Sequence, residues 1–325
     1  MILVRSPLRI TFGGAGSDLI SYSSQYGGFC ISASINKYSY IGANHLFEQG
    51  IILKYSENET IQNIELIKHP IFREALKVIG LKTPQIEIIS MADAPNKGSG
   101  LGGSGSFSVA LLKTLYLYKN IPMLNNEIAE IACDININKL HSIQGKQDEY
   151  ISALGGILCL EFNTDGSVTH YPLNISHDTY INLEENLMLF YSGISHNTNE
   201  VLSLQETKTK TNDPDMMNNL KSLKDIGYHA KLLLESNLIN DFADLLNVQY
   251  KNKRERMSNP NPFIDEVQRD MILNGAIGVK IVGSGNGGFF MAYAQDKNKL
   301  REYAGKRKLE ELRFQFDFSG AKQIV

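Results

Sequence analysis

Five glycines and three serines fall within the nine residues Gly98-Ser99-Gly100-Leu101-Gly102-Gly103-Ser104-Gly105-Ser106. Upstream, Gln85 to Ala92 alternates like a half-buried strand; downstream, Phe107 to Tyr116 has the apolar spacing of a helix. A glycine-rich loop at a helix N-terminus gathers free backbone N–H groups and the positive end of the helix dipole on one point. Glycine also lets the oxygens of an anion approach the main chain with no Cβ in the way. This is chemistry for a phosphate, with Pro95, Gly98, Gly100, Leu101, Gly102, Gly103, Ser104, Gly105 and Ser106 as the candidate binding residues. Either Ser104 or Ser106 would reach a phosphate or its metal. A glycine-rich turn before an ordinary helix is the plain alternative. No Gly-Lys-Ser/Thr closes the loop and no acidic residue follows at the dinucleotide spacing, which excludes both of those loop types.

Two further segments carry a similar signal. Ser6-Pro7-Leu8-Arg9-Ile10-Thr11-Phe12-Gly13-Gly14-Ala15-Gly16-Ser17-Asp18 reads as a strand running into a glycine turn that presents a carboxylate. Gly278-Val279-Lys280-Ile281-Val282-Gly283-Ser284-Gly285-Asn286-Gly287-Gly288-Phe289-Phe290 reads as a glycine hairpin between two apolar strands. Together with the Pro-x(4)-Gly-Leu-Gly-x-Ser order of residues 95–104, these segments resemble, in sequence order, the three motifs of the GHMP kinases. That is the family of galactokinase, homoserine kinase, mevalonate kinase and phosphomevalonate kinase. Within it, residues 9–14 and 67–75, Gly145-Lys146-Gln147-Asp148-Glu149-Tyr150 and Ser192-Gly193-Ile194-Ser195 resemble the kinases acting on D-glycero-alpha-D-manno-heptose 7-phosphate.

The resemblance implies an α+β chain of two domains with the active site in the cleft between them. Residues 1–178 would form a mixed α/β unit carrying the phosphate loop, and residues 179–325 a ferredoxin-like α/β unit. The implied reaction moves the γ-phosphate of ATP to the anomeric hydroxyl of the heptose phosphate, giving the 1,7-bisphosphate for GDP-heptose synthesis. The alternatives are another sugar or sugar-phosphate 1-kinase of the family, or a weakly catalytic sugar- and nucleotide-binding sensor on the same fold. Phosphoryl transfer needs in-line geometry, neutralised phosphoryl charge and a group near the hydroxyl to take its proton. By resemblance Asp148 is that group. On sequence alone Glu149 competes, since on a helix opening at Gly145 the two point about 100° apart and only one faces a cleft. A carboxylate favoured by the helix dipole in a first turn would account for either. Lys146 is the second catalytic candidate, its cation keeping Asp148 ionised; a solvated surface lysine is its alternative. Arg9, Gly13, Gly14, Asp18, Gly285 and Gly287 are expected at the sugar.

ATP and Mg2+ are the expected cofactors, with two departures from the family pattern. The usual glutamate ligand, 12 residues before the catalytic aspartate, is Asn136 (148 − 12), an amide that ligates without charge. The usual pair of serines is Gly103-Ser104. The ion is therefore expected on ATP, water, Ser104 and Asn136. A substrate with its own phosphate also needs a cationic pocket away from the reacting hydroxyl, where arginine is favoured for its bidentate fork. Lys68, His69 and Arg73, at the start of a helix predicted over 70–80, are candidates, as are Arg9 and Lys37. His196 stands where the resemblance leads one to expect an arginine.

The elements that must position these residues follow from the hydrophobic pattern. Strands are predicted over 29–33, 38–43, 51–55, 86–90 and 157–162, then a polar connection over 171–186 and a buried strand from 187 to 191. A mobile loop is predicted over 205–214, followed by amphipathic helices over 216–235, 239–256 and 262–274. The 325 residues suffice for two domains with sizeable cores. A formal charge of −3 gives no reason to expect a nucleic-acid partner. No segment approaches the roughly 20 apolar residues of a membrane span, so the expected partners are the sugar phosphate and ATP, with no membrane; a homodimer stays open. Cys30, Cys133 and Cys159 read as buried thiols of a reducing compartment, and the chain as cytoplasmic.

Overall fold

In the computed structural model, which describes residues 1–81, 84–95, 98–194 and 198–325, strands and helices alternate through most of the chain. The first half runs β1 (Ile2–Gly13), α1 (Ile20–Tyr26), β2 (Gly28–His45), β3 (Gly50–Lys54), β4 (Asn58–Ile61), α2 (Pro70–Ile79), β5 (Gln85–Ala92), α3 (Gly103–Tyr118), α4 (Asn125–Cys133), α5 (Gln147–Leu154), β6 (Ile157–Phe162) and β7 (Val168–Pro172). The second runs α6 (His177–Asn186), β8 (Leu187–Tyr191), α7 (Thr198–Lys210), α8 (Pro214–Glu235), α9 (Ile239–Glu255), α10 (Pro262–Leu273), β9 (Ala276–Ile281), β10 (Phe289–Ala294), α11 (Lys297–Lys306), β11 (Glu310–Glu311) and β12 (Lys322–Gln323).

One sheet has the order β12-β1-β2-β5-β3-β4, with β6 and β7 joined through β2; the other has the order β11-β8-β10-β9. The long strand β2 serves two neighbours on one side: Gly28–Ala33 pairs with β6 and Ser39–His45 with β5. On its other side it pairs with β1, and the register slips between Pro7 and Leu8, where proline cannot donate to the ladder. Side chains alternate along β1. Leu8, Ile10 and Phe12 enter a core shared with α8, α9 and the second sheet, while Arg9 and Thr11 face α5. The second sheet is apolar on both faces, because Leu189 and Met291 join that shared core and Phe190 and Phe290 join a separate one with α10 and α11. A further core packs α2, α3, α4 and α5 on the first sheet.

Two stretches differ from expectation. The polar connection expected over 171–186 ends β7 and then forms α6, whose helical pattern is faint because only Thr179 and Leu183 are buried. The loop expected over 205–214 is helical through Lys210, and α8 starts at Pro214, with Asp213 accepting a cap hydrogen bond from Met216 N at 2.9 Å. All three cysteines are buried free thiols. No described helix is long and apolar enough to cross a membrane.

Phe12 is fully buried and meets Phe242 and Phe316 edge-on, with ring centroids 5.6 and 6.0 Å away. Phe12→Ala is expected to cost about 3–5 kcal/mol, seen as a lower urea midpoint at unchanged slope. A loss below about 1 kcal/mol would mean that this core does not hold β1 in place.

Candidate active site

The glycine loop lies where β1, α3 and α5 converge. Gly98, Gly100 and Gly102 have φ of 69°, 78° and 75°, values that suit glycine, and α3 begins immediately afterwards with its first-turn N–H groups lacking helical partners. Leu101, fully buried, pins the loop to the core, and its carbonyl accepts from Arg9 N at 2.9 Å. The turn between β9 and β10 packs on the same loop, Gly283 against Gly100 and Gly288 against Ser99. The loop thus presents backbone donors to a cavity of about 350 Å³ lined also by Ser104, Asp18, Asp148, Lys253, Arg256 and Lys280. Those donors fit the phosphates of a nucleotide.

Beneath the loop is a bidentate ion pair. Arg9 Nε donates to Asp148 Oδ1 at 2.7 Å and Nη2 to Oδ2 at 3.0 Å, while Nη1 donates to the Gly100 carbonyl. Asp148 sits in the first turn of α5, where the helix dipole favours a carboxylate, and its side chain keeps 29% exposure toward the cavity. A Cβ on Gly102 would lie 2.9 Å from Arg9 Cγ, so no side chain fits between loop and pair. Across the cavity, Asp18 Oδ1 accepts from Gly16 N at 2.9 Å. Its Oδ2 occupies space that only glycine at 145 leaves, since a Cβ there would lie 2.0 Å away. Burial pushes the Asp18 carboxyl up, and the charge of Asp148 pushes the same way.

The opposite wall is cationic. Lys280 Nζ donates to Gln249 Oε1 at 2.7 Å, and burial pulls its pKa down to about 7, assisted by Arg9. Lys253 Nζ donates to the carbonyls of Ile281 and Gly283 at 3.0 and 2.5 Å, and burial among the other cations pulls it well below the usual lysine range. Burial also lowers Arg256, to about 10, against the pull of Asp18. Among the described lining residues, two arginines and two lysines whose charge burial weakens face two carboxylates.

Of the residues expected from the sequence, Arg9, Asp18, Gly98, Gly100, Gly102, Gly103, Ser104 and Asp148 line this cavity. Lys146 corrects the expectation: its ammonium binds Glu130 Oε2 and the Gly166 carbonyl, both at 2.8 Å, and the cation beside Asp148 is Arg9. The Ser106 hydroxyl is buried against the Ser6 carbonyl at 2.8 Å, so of the two candidate serines only Ser104 lines the cavity. Gly13 packs on α8 and Gly14 on β2, Gly105 backs Asp148, and Gly285 lies against Lys253. Pro95, Leu101 and Gly287 do not line the cavity. Neither do Lys37, Lys68, His69 and Arg73; the His69 ring packs on Phe72 and Phe107, and Arg73 pairs with Glu74. Ser195 and His196 lie outside the described residues, as do Asn96 and Lys97.

Asn136, expected at a metal, is fully engaged elsewhere. It lies on a π-helical turn, Asp134–Lys139, where Nδ2 donates to Glu149 Oε1 at 2.7 Å and to Ser108 Oγ at 3.1 Å. Glu149 is fully buried behind Asp148, and its Oε2 has no hydrogen-bond partner. The donors left near the loop, the Ser104 hydroxyl and the Arg9-bound Asp148, do not make a protein cage for a divalent ion, and no group of three His, Cys, Asp or Glu able to hold a metal occurs among the described residues. Sequence reasoning passed over Lys253, Arg256 and Lys280. Lys280 stood inside a quoted motif, whereas the other two carried only the pattern of a solvated helix face.

The chain is similar to several known proteins. The family description "GHMP kinases N terminal domain" matches residues 65–156, from α2 through α5. The chain is 27% identical over its whole length to the D-glycero-alpha-D-manno-heptose 7-phosphate kinase of Campylobacter jejuni, covering 98% of that protein. It is 24% identical to the mevalonate kinase of Thermococcus onnurineus, over 91% of this chain and 90% of that one. Among solved structures, a D-glycero-D-manno-heptose 1-phosphate kinase from Bacteroides thetaiotaomicron superposes with a TM-score of 0.81 at 22% identity, covering 100% of this chain and 99% of the other.

Burial pushes the Glu149 carboxyl up to about 7, with the Asp148 charge adding to it. The folded state therefore binds a proton that the unfolded state has released between pH 4.5 and 7, and Glu149 costs stability as pH rises through that window. Glu149→Gln is expected to raise the melting temperature at pH 8, by on the order of 2–3 kcal/mol of stability, with the gain fading below pH 5. A gain independent of pH, or a loss at pH 8, would contradict the protonation argument.

Proposed function

We propose, from the premise that this chain is an ATP-dependent kinase of the GHMP family, that its acceptor is the anomeric hydroxyl of a heptose 7-phosphate and its product the 1,7-bisphosphate. The observation that carries the reading is the Arg9–Asp148 pair at the foot of the glycine loop: a fixed carboxylate, beside donors suited to phosphates, in a cavity also lined by Arg256, Lys253 and Lys280. Full-length likeness to a heptose 7-phosphate kinase supports the choice of sugar.

In this reading the loop and the first turn of α3 hold the phosphates of ATP, with Ser104 beside them. Asp18 binds sugar hydroxyls. The Arg9 fork occupies one lone pair on each Asp148 oxygen and leaves the others for the acceptor hydroxyl. The hydroxyl oxygen bonds to the γ-phosphorus, the bond to the β–γ bridging oxygen breaks with its electron pair leaving on ADP, and the hydroxyl proton passes to Asp148. Asn136, bound to Ser108 and Glu149, is not free to hold a metal; a magnesium ion bound with the nucleotide would sit beside Ser104 and would supply neutralisation of phosphoryl charge. The functional halves proposed are 1–178, with the loop and Asp148, and 179–325, with Lys253, Arg256 and Lys280. The enzyme is read as cytoplasmic. The engaged Asn136 favours one second reading, a sugar- and nucleotide-binding protein of slow turnover.

A coupled ADP-release assay over heptose 7-phosphate, mannose, fucose, galactose and their phosphates tests the substrate, and absence of turnover on all of them would leave the second reading. Asp148→Asn is expected to lose about 10²- to 10⁴-fold in kcat with ATP affinity within about threefold of wild type. Near-normal kcat in that variant would remove Asp148 from the chemistry.

A further inference from the structure

We propose that Arg256 binds the phosphate already carried by the sugar and so sets the preference of this enzyme for a phosphorylated acceptor; the inference rests on the sugar-phosphate kinase reading above. Most of the cationic donors around the cavity already have partners. Arg9 is committed to Asp148 and Gly100, Lys253 to two backbone carbonyls, and Lys280 to Gln249. Arg256 Nε and Nη1 are buried with no hydrogen-bond partner, and no carboxylate among the described residues forms an ion pair with the guanidinium. A guanidinium remains charged at any working pH, so buried N–H donors without acceptors are costly unless a ligand fills them. Their planar fork matches two oxygens of a phosphate.

Position distinguishes this phosphate from those of ATP. Arg256 follows the last residue of α9 and lies over the turn after β1, where a Cβ on Gly16 would sit 2.8 Å from Nη1. The same turn fixes Asp18 through Gly16 N, so the free fork stands beside the carboxylate assigned to sugar hydroxyls. The nucleotide loop and the Arg9–Asp148 pair belong to the convergence of α3 and α5 instead. Arg256 also borders a second cavity of about 460 Å³ between α7, α8 and α9, but Asp215 and Glu255 line that one, so the phosphate is placed on the Gly16 side. Burial lowers its pKa, and an anionic partner would restore it.

The test compares full-length wild type, Arg256→Gln and Arg256→Lys with heptose 7-phosphate, unphosphorylated heptose and ATP as varied substrates. Arg256→Gln is expected to raise KM for the sugar phosphate about 10- to 100-fold. KM for the unphosphorylated sugar and for ATP should stay within about threefold, so that the preference for the phosphate collapses. Arg256→Lys, which keeps charge without the fork, should fall between and serves if the glutamine variant does not fold. Calorimetric titration of inorganic phosphate into protein saturated with ADP needs no turnover: binding to wild type and its loss in the variants is expected. Retained phosphate preference, a parallel rise in the KM for ATP, or equal phosphate binding by all three proteins would each overturn the role of Arg256. An enzyme inactive on every sugar whose phosphate binding still depends on Arg256 would instead overturn the functional reading and leave the anion site standing.

Discussion

One guanidinium joins the three parts on which this cleft depends. Arg9 reaches from β1 to Asp148, 139 positions later in the chain, and to the carbonyl of Gly100 in the glycine loop. Stripping water from an arginine and a carboxylate is expensive, and attraction offsets that cost only when the geometry is good and the remaining donors are used. Here Nε, Nη1 and Nη2 all find acceptors. The strand period makes this possible, because the alternation that buries Leu8, Ile10 and Phe12 on one face of β1 directs Arg9 to the other. Movement of β1 against α5 would therefore displace the carboxylate and the loop together.

Around that pair the charges are graded by their surroundings. Asp148 keeps some solvent and is held by a cation; Glu149, one residue on, is turned inward to Asn136 and Gln144, where burial favours its neutral form. Two adjacent carboxyls thus occupy different environments, one open to the cavity and one fully buried. The lysines of the far wall are discharged in part by burial, whereas arginine keeps its charge, and this difference gives Arg256 a distinct place among the cations.

Much of this was legible in the sequence because it is local. A glycine-rich run between a period-two and a period-3.6 pattern marks the loop at the start of α3, and a turn before Gln147 places Asp148 on an opening helix. What was missed depends on distant partners. Lys146 is two residues from Asp148, yet Glu130 on α4 and the Gly166 carbonyl draw it away. Counting residues led to Asn136, but the π-helical turn around it changes the direction in which side chains leave the helix, and its amide meets Ser108 and Glu149. Arg256 looked like one charge among many on α9, and only the approach of that helix end to Gly16 separates it from a solvated face. In α6, few buried side chains left too faint an apolar stripe to read.

If Arg9 acts through Asp148, a double-mutant cycle in single-turnover rate shows it directly. With ATP and sugar saturating, Arg9→Met and Asp148→Asn should each slow the chemical step. The double variant should be slower than Asp148→Asn alone by no more than about threefold, since the arginine then keeps only the Gly100 carbonyl and no longer holds the carboxylate. Losses that multiply in the double variant would show that the two residues contribute independently, and the ion pair would then be a bystander to the chemistry.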